Sequence, residues 1–318
     1  MINVTCVTSL LLCAISAADS SQETARRGTD YDEFAVPKLR CTIGNNAALG
    51  EHRAWYNGVF SLHAADGDTS PFVPQYAGLN LENYFDTRPR PEQSEVFFEP
   101  RASAMSFSRI NETTAELHQP ATPVYGVESS TRFELKDPYC VDMTFRCIPR
   151  KPGLGGGMLG VFWASYINAP LDKSMYFLAA GATLDKPQWV QYCTQQHGRD
   201  STVRQESDSL EIPFAGGPGT LFNNFSPLRY SAPFFYGRFR DNVLIYIFRP
   251  GPIVRFSHSP SGGGTSASGD AQNPAWDFQL IVPDYKPGAE YQLDMRLVYK
   301  PWVDRQDVLN EVRKYLGK

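Results

Sequence analysis

The chain has 318 residues, enough for one large domain or two, and 42% of it is hydrophobic. A formal net charge of −4, with no run of Lys or Arg, argues against a nucleic-acid-binding surface. Aromatic residues make up 13%, and 25 glycines and 24 prolines punctuate the sequence. That balance suits many strands separated by turns.

In chain order, residues 2–15 are apolar and end in the small residues Ser16, Ala17 and Ala18. Residues 1–18 read as a secretory signal peptide, although no Lys or Arg precedes the apolar run. The expected location is secreted or periplasmic. No later segment is long and apolar enough for a membrane span, so no membrane contact is expected after signal removal. Residues 19–33 are polar and read as a disordered lead. Residues 34–318 read as one β-sandwich domain.

Apolar alternation begins at 34–43 and returns at 59–63. Residues 64–90 are irregular, but Phe72, Tyr76, Tyr84 and Phe85 argue that they pack against something. Strand signals then follow at 96–99, 104–110, 114–118, 124–135, 140–149, 158–167, 175–180 and 188–193. Residues 197–209 are polar. Shorter apolar runs at 210–214 and 221–225 lead into strands at 233–240, 242–248, 253–258 and 276–282. A Gly/Ser-rich loop, 260–269, interrupts the last pair. A Lys286-Pro287-Gly288 turn precedes a long strand at 290–300. Only 304–316 reads as helix, with Val308, Val312 and Leu316 four apart. The predicted fold is all-β: a large antiparallel two-sheet β-sandwich with one short C-terminal helix.

After loss of the signal, Cys41, Cys140, Cys147 and Cys193 remain. Disulfides and free buried thiols are both open readings. Cys140 and Cys147 lie seven apart on one strand and should face opposite sides. No CxxC pair supports a thiolate zinc site, and Asp66-Gly67-Asp68 is not a full calcium loop. No GxSxG or phosphate-loop motif occurs. Sequons stand at Asn3, Asn111 and Asn224.

The run LIVPDYKPGAEYQLDMRLVY at 280–299 resembles the closing strand pair of galactose-mutarotase-like proteins. Residues 127–149 followed by 160–168 are similar to that family's central strands. The resemblance follows the order of elements over most of 34–300. It implies a β-supersandwich with a carbohydrate cleft, in which a His acid and a Glu base face each other across the sugar. His197 and His258 are the histidine candidates, with Glu82 and Asp277 as carboxylates. Arg53, Tyr56 and Asn57 offer an aromatic platform, a cation and an amide for a sugar. His197, Arg199, Asp200 and Arg204 form a dense polar group whose Arg and Asp could fork onto hydroxyls or a uronate carboxylate, and Arg238 is expected to line the same cleft. The expected function is carbohydrate binding or modification by epimerase-like or lyase-like proton transfer, with no cofactor. A non-catalytic sugar-binding or structural sandwich is the alternative.

Overall fold

The computed structural model describes residues 26–27, 30–65, 67–213, 215, 221–269 and 271–318. The signal segment and most of the expected lead lie outside the described residues. In chain order the first strands are β1 (Arg26–Arg27), β2 (Tyr31–Val36), β3 (Leu39–Gly44), β4 (Gly58–Ala64) and β5 (Asn80–Phe85). Two single-turn helices follow, α1 (Ser94–Phe97) and α2 (Glu99–Ala102). Next come β6 (Ser106–Arg109), β7 (Thr114–Gln119), β8 (Val127–Lys136), β9 (Cys140–Pro149) and β10 (Leu159–Ala164). The chain continues through β11 (Met175–Leu178), β12 (Trp189–Tyr192), β13 (Thr202–Gln205), β14 (Phe225–Tyr230) and β15 (Phe234–Phe239). It closes with β16 (Asn242–Phe248), β17 (Ile253–Ser259), β18 (Ala275–Val282), β19 (Tyr291–Pro301) and α3 (Arg305–Leu316).

A ten-stranded sheet runs β1-β6-β7-β8-β9-β19-β16-β15-β11-β12. A six-stranded sheet runs β14-β13-β17-β18-β10-β5, and a small sheet runs β2-β3-β4. Period-two alternation explains which faces meet. In β8 every second residue is buried, starting at Val127. Its apolar set joins Phe145 of β9 and Phe248 of β16 against Trp163 and Phe278 of the six-stranded sheet. Trp163 stacks on Phe278 at 5.1 Å, and Phe145 meets Trp163 edge-on at 4.7 Å. The sheets approach closely at Gly237, where an added Cβ would lie 2.1 Å from the Trp276 ring.

The opposite face of the ten-stranded sheet is covered by α3 through Val308, Leu309 and Val312. Asp304 caps this helix by accepting from the Asp307 N–H at 2.7 Å, and Gly317 ends it at φ 70°. The predicted helix is therefore present within a residue of its expected start. Cys140 joins the face under α3 while Cys147 joins the inter-sheet core, as strand alternation requires. All four described cysteines are free thiols, and burial pushes the Cys140 thiol up to about 11 and Cys147 to about 12.

Several expectations need correction. Residues 96–99 are not a strand. They fall in α1 and α2, where Pro100 occupies the first turn of α2, a position that needs no N–H donor. The stretch 64–90, read as irregular, contains β5. Residues 210–213 form no strand, and 202–205 in the polar stretch do. Strands β13 and β14 pair in parallel within an otherwise antiparallel sandwich. β2 starts at Tyr31, inside the stretch read as a lead.

Candidate functional site

The six-stranded sheet turns one face to the core and the other to a cavity. On β10, Val161 and Trp163 point to the core, while Phe162 and Ala164 line the cavity. On β18, Trp276 and Phe278 point inward, and Ala275 and Asp277 line the cavity. β5 departs from strict alternation. Phe162 pairs with Asn83 but Trp163 pairs with Leu81, so Glu82 is an extra residue, a β-bulge. The bulge lets Leu81 and Tyr84 stay in the core while Glu82 and Asn83 both face the cavity. The cavity holds about 250 Å3. Its walls are Phe97, Phe98 and Arg101 from the α1–α2 segment, Tyr56, and Leu221 and Phe222 from a 3-10 turn. Arg90, Tyr166, His197 and Gly262 complete the lining.

Glu82 is the electrostatic centre. It accepts from the Tyr166 hydroxyl and from Asn80 Nδ2 at 3.2 Å, and Arg101 Nη1 lies 3.6 Å away. Burial raises its pKa, and Arg101, Tyr166 and Asn80 pull it back. Asp277 is 1% exposed, and its Oδ1 accepts from Ser165 N–H at 3.2 Å. Burial, with the Glu82 charge adding to it, holds this carboxyl well above the usual carboxylate range. Of the two, Asp277 is the one pushed further toward its protonated form. Their surroundings separate their roles, as in acid–base pairs generally.

Arg101 is held from several sides. Its guanidinium carbon sits 3.9 Å from the centre of the Tyr56 ring and 4.4 Å from that of Phe98. Its Nε donates to the Trp55 carbonyl at 2.9 Å. Trp55 has φ 78°, a left-handed backbone that a bulky residue adopts only when its surroundings require it. His52 ties the same loop down. Its Nδ1 lies 2.9 Å from the Tyr76 carbonyl and its Nε2 3.0 Å from that of Tyr56. A neutral imidazole has one N–H, so only one of these can be a hydrogen bond at a time.

His197 sits at the cavity mouth and keeps solvent access. Its Nδ1 meets Ser259 Oγ at 2.8 Å. Partial burial, then the Arg90 charge, lowers its pKa, so the ring is neutral at pH 7. A Ser259 hydroxyl donating to Nδ1 places the proton on Nε2, which has no protein partner among the described residues.

Of the ten residues expected at a cleft, Tyr56, Glu82, His197 and Asp277 meet in this cavity. Arg53 stacks over Tyr76 at 5.8 Å, beside the Tyr56–Tyr76–Tyr166 ring cluster. Asn57 is buried and clasps β5, giving Nδ2–H to Leu81 O at 3.0 Å and accepting Leu81 N–H at 3.1 Å. Arg199 and Asp200 form an exposed pair at 3.9 Å outside the cavity lining. Arg238 lies across the molecule, over Trp302 on the sheet face covered by α3.

His258 is not brought to the cavity. It is fully buried, Nδ1 accepts from the Thr194 N–H at 3.2 Å, and Nε2 donates to the Lys173 carbonyl at 2.9 Å. Trp276 Nε1 donates to the same carbonyl at 2.9 Å. Strand alternation is the reason: on β17, His258 pairs with Trp276 of β18, and the ring is closed in by the loop at Thr194. Burial drives its pKa from 6.5 down to about 4. Because the folded value lies below the unfolded one, this contribution to stability is complete above about pH 6.5 and is lost as pH falls towards 4. The loss should amount to about 3 kcal/mol. Urea unfolding at pH 7 and pH 4.5 should show a smaller acid loss for His258→Gln than for the wild type. An equal loss in both would remove His258 as the cause.

Sequence reasoning missed Arg101, which falls in the gap between the runs read as strand at 96–99 and 104–110, and Arg90, because its segment was read as irregular. Tyr166 lies in the run read as strand at 158–167 and was not selected. Among the described residues, no group of three or more His, Cys, Asp or Glu could hold a metal ion.

No protein-family model matches the chain, and no curated protein does. Solved structures match over most of its length. The Slr1438 protein from Synechocystis sp. PCC 6803 aligns with TM-score 0.50 at 9% identity, covering 92% of this chain and 100% of that one. At that identity the likeness is one of fold. A putative aldose 1-epimerase from Escherichia coli K12 aligns with TM-score 0.48 at 10% identity, covering 86% and 99%. A galactose mutarotase-like protein from Lactobacillus casei ATCC 334 aligns with TM-score 0.46 at 9% identity, covering 85% and 100%.

Proposed function

We propose that the cavity binds a sugar and moves a proton on it, by epimerase-like or lyase-like chemistry. One observation carries the reading: a bulge aims a buried carboxylate, Glu82, into an aromatic-walled cavity that His197 also lines. Tyr56, Phe97 and Phe222 supply faces on which the C–H side of a sugar ring rests. Glu82, Asn83 and Asp277 supply polar groups for its hydroxyls. In this scheme Glu82 takes a proton from the substrate, and the neutral His197 gives a hydrogen bond from Nε2–H to the oxygen on which charge develops. Asp277, whose burial favours the protonated form, is suited to donate a hydrogen bond rather than to act as a base.

A second reading is a non-catalytic sugar-binding module. The three donors around Glu82 favour it, since they also suit a carboxylate that serves as a fixed acceptor. The two readings separate on a monosaccharide panel followed by NMR for anomer exchange, epimerisation and elimination. The catalytic reading expects turnover by the wild type and a loss of roughly 10²-fold or more in His197→Gln, with binding retained. Binding without turnover by the wild type would establish the module instead.

A further inference from the structure

Charge matching around the cavity leaves one cation over, on the exposed Arg90 at its rim. Two arginines line it, Arg90 and Arg101, with two carboxyls, Glu82 and Asp277. Arg101 and Glu82 answer each other at 3.6 Å. Asp277 makes no ion pair with either arginine among the described residues, and its burial disfavours the charged form. Arg90 has no carboxylate within ion-pair distance among the described residues, although the chain carries more acidic than basic side chains. Its guanidinium is not idle, because its carbon lies 4.1 Å from the centre of the Phe97 ring, a cation–π contact that holds it at the rim. It lies close enough to His197 for its charge to be felt there. Arg53, also without a carboxylate partner among the described residues, stacks on Tyr76, whose ring packs against Tyr56 and Tyr166 of the cavity wall.

A neutral sugar needs hydroxyl partners, which Glu82, Asn83 and Asp277 already offer. An oriented guanidinium with no protein anion matches a planar or tetrahedral anion through parallel N–H donors. We infer that the substrate of the proposed site carries an anionic group, and that Arg90 at the mouth receives it while the sugar ring lies over the sheet. The inference rests on the sugar-site reading and narrows its substrate class. Arg90 is then a specificity residue, and the anion is a uronate carboxylate or a sugar phosphate.

The test is calorimetric binding of matched sets: galactose, galacturonate and galactose 6-phosphate, and the gluco counterparts, at low and high salt. The wild type should bind at least one anionic member about tenfold more tightly than its neutral parent, and salt should shrink that margin. Arg90→Gln should cut the anionic-to-neutral affinity ratio about tenfold, and Arg90→Lys should restore part of it. A preference for galacturonate or glucuronate identifies the carboxylate as the anion, and a preference for the 6-phosphates identifies phosphate. Neutral sugars bound as tightly as anionic ones, or a ratio that Arg90→Gln leaves alone, overturns this inference and leaves the sugar site standing. No binding by any member overturns both.

Discussion

Replacing Glu82 with Gln should lower turnover of the sugar substrate by roughly 10³-fold, since a positioned acid or base contributes about 10²–10⁴. Gln fills the same bulge position, and its amide oxygen can still accept from Tyr166 and Arg101, so the fold should persist. What disappears is the negative charge and the ability to take a proton. The pH profile gives the sharper readout. Burial raises the Glu82 pKa, so wild-type kcat/KM should climb with pH through a value above the ordinary carboxylate range. A base must be deprotonated to act, so the acid limb of the profile belongs to it. In Glu82→Gln that limb should vanish along with the rate. A variant retaining kcat within about twofold would show that Glu82 only holds the cavity together.

The largest effect on stability is expected at a buried ion pair on the six-stranded sheet, outside the cavity lining. Arg255 on β17 is 0% exposed, and its Nε donates to Asp208 Oδ2 at 2.7 Å. Its Nη2 gives bonds to Asp208 Oδ1 at 3.2 Å and to the Leu210 carbonyl at 3.0 Å. Asp208→Ala strands a guanidinium in the interior, which costs about 3–5 kcal/mol when a buried pair loses one partner. Urea unfolding at pH 7 should report this as a drop in midpoint with little change in slope. The double variant Asp208→Leu, Arg255→Met should recover most of the loss, because it is the unpaired charge that is costly. A single Asp208→Ala variant within about 1 kcal/mol of wild type would mean that water or chain movement reaches Arg255.

The fold was legible in the sequence wherever one face of a strand is wet. β7, β8 and β9 alternate cleanly because each has a polar side, and α3 shows its four-residue spacing and its Asp304 cap. The cavity was harder to see for the same reason that it works. β5 reads Asn-Leu-Glu-Asn-Tyr-Phe, and its bulge breaks the period-two pattern at Glu82, so the strand that carries the key carboxylate looked like loop. The α1–α2 segment was misread because Val96-Phe97-Phe98 is apolar, yet two of those rings wall a cavity instead of filling a core. His258 and Arg238 drew attention as polar residues at strand ends. Register, which the sequence alone does not display, turns the first into the interior and the second to the face under α3.

The most direct test is a crystal structure of the wild-type protein with a sugar from the binding panel. The sugar should lie over Phe162 and Ala164, with one oxygen within hydrogen-bond distance of the Glu82 carboxylate and another at His197 Nε2. A sugar bound instead on the exposed Arg199–Asp200 loop, with the Glu82 cavity holding only water, would contradict the account.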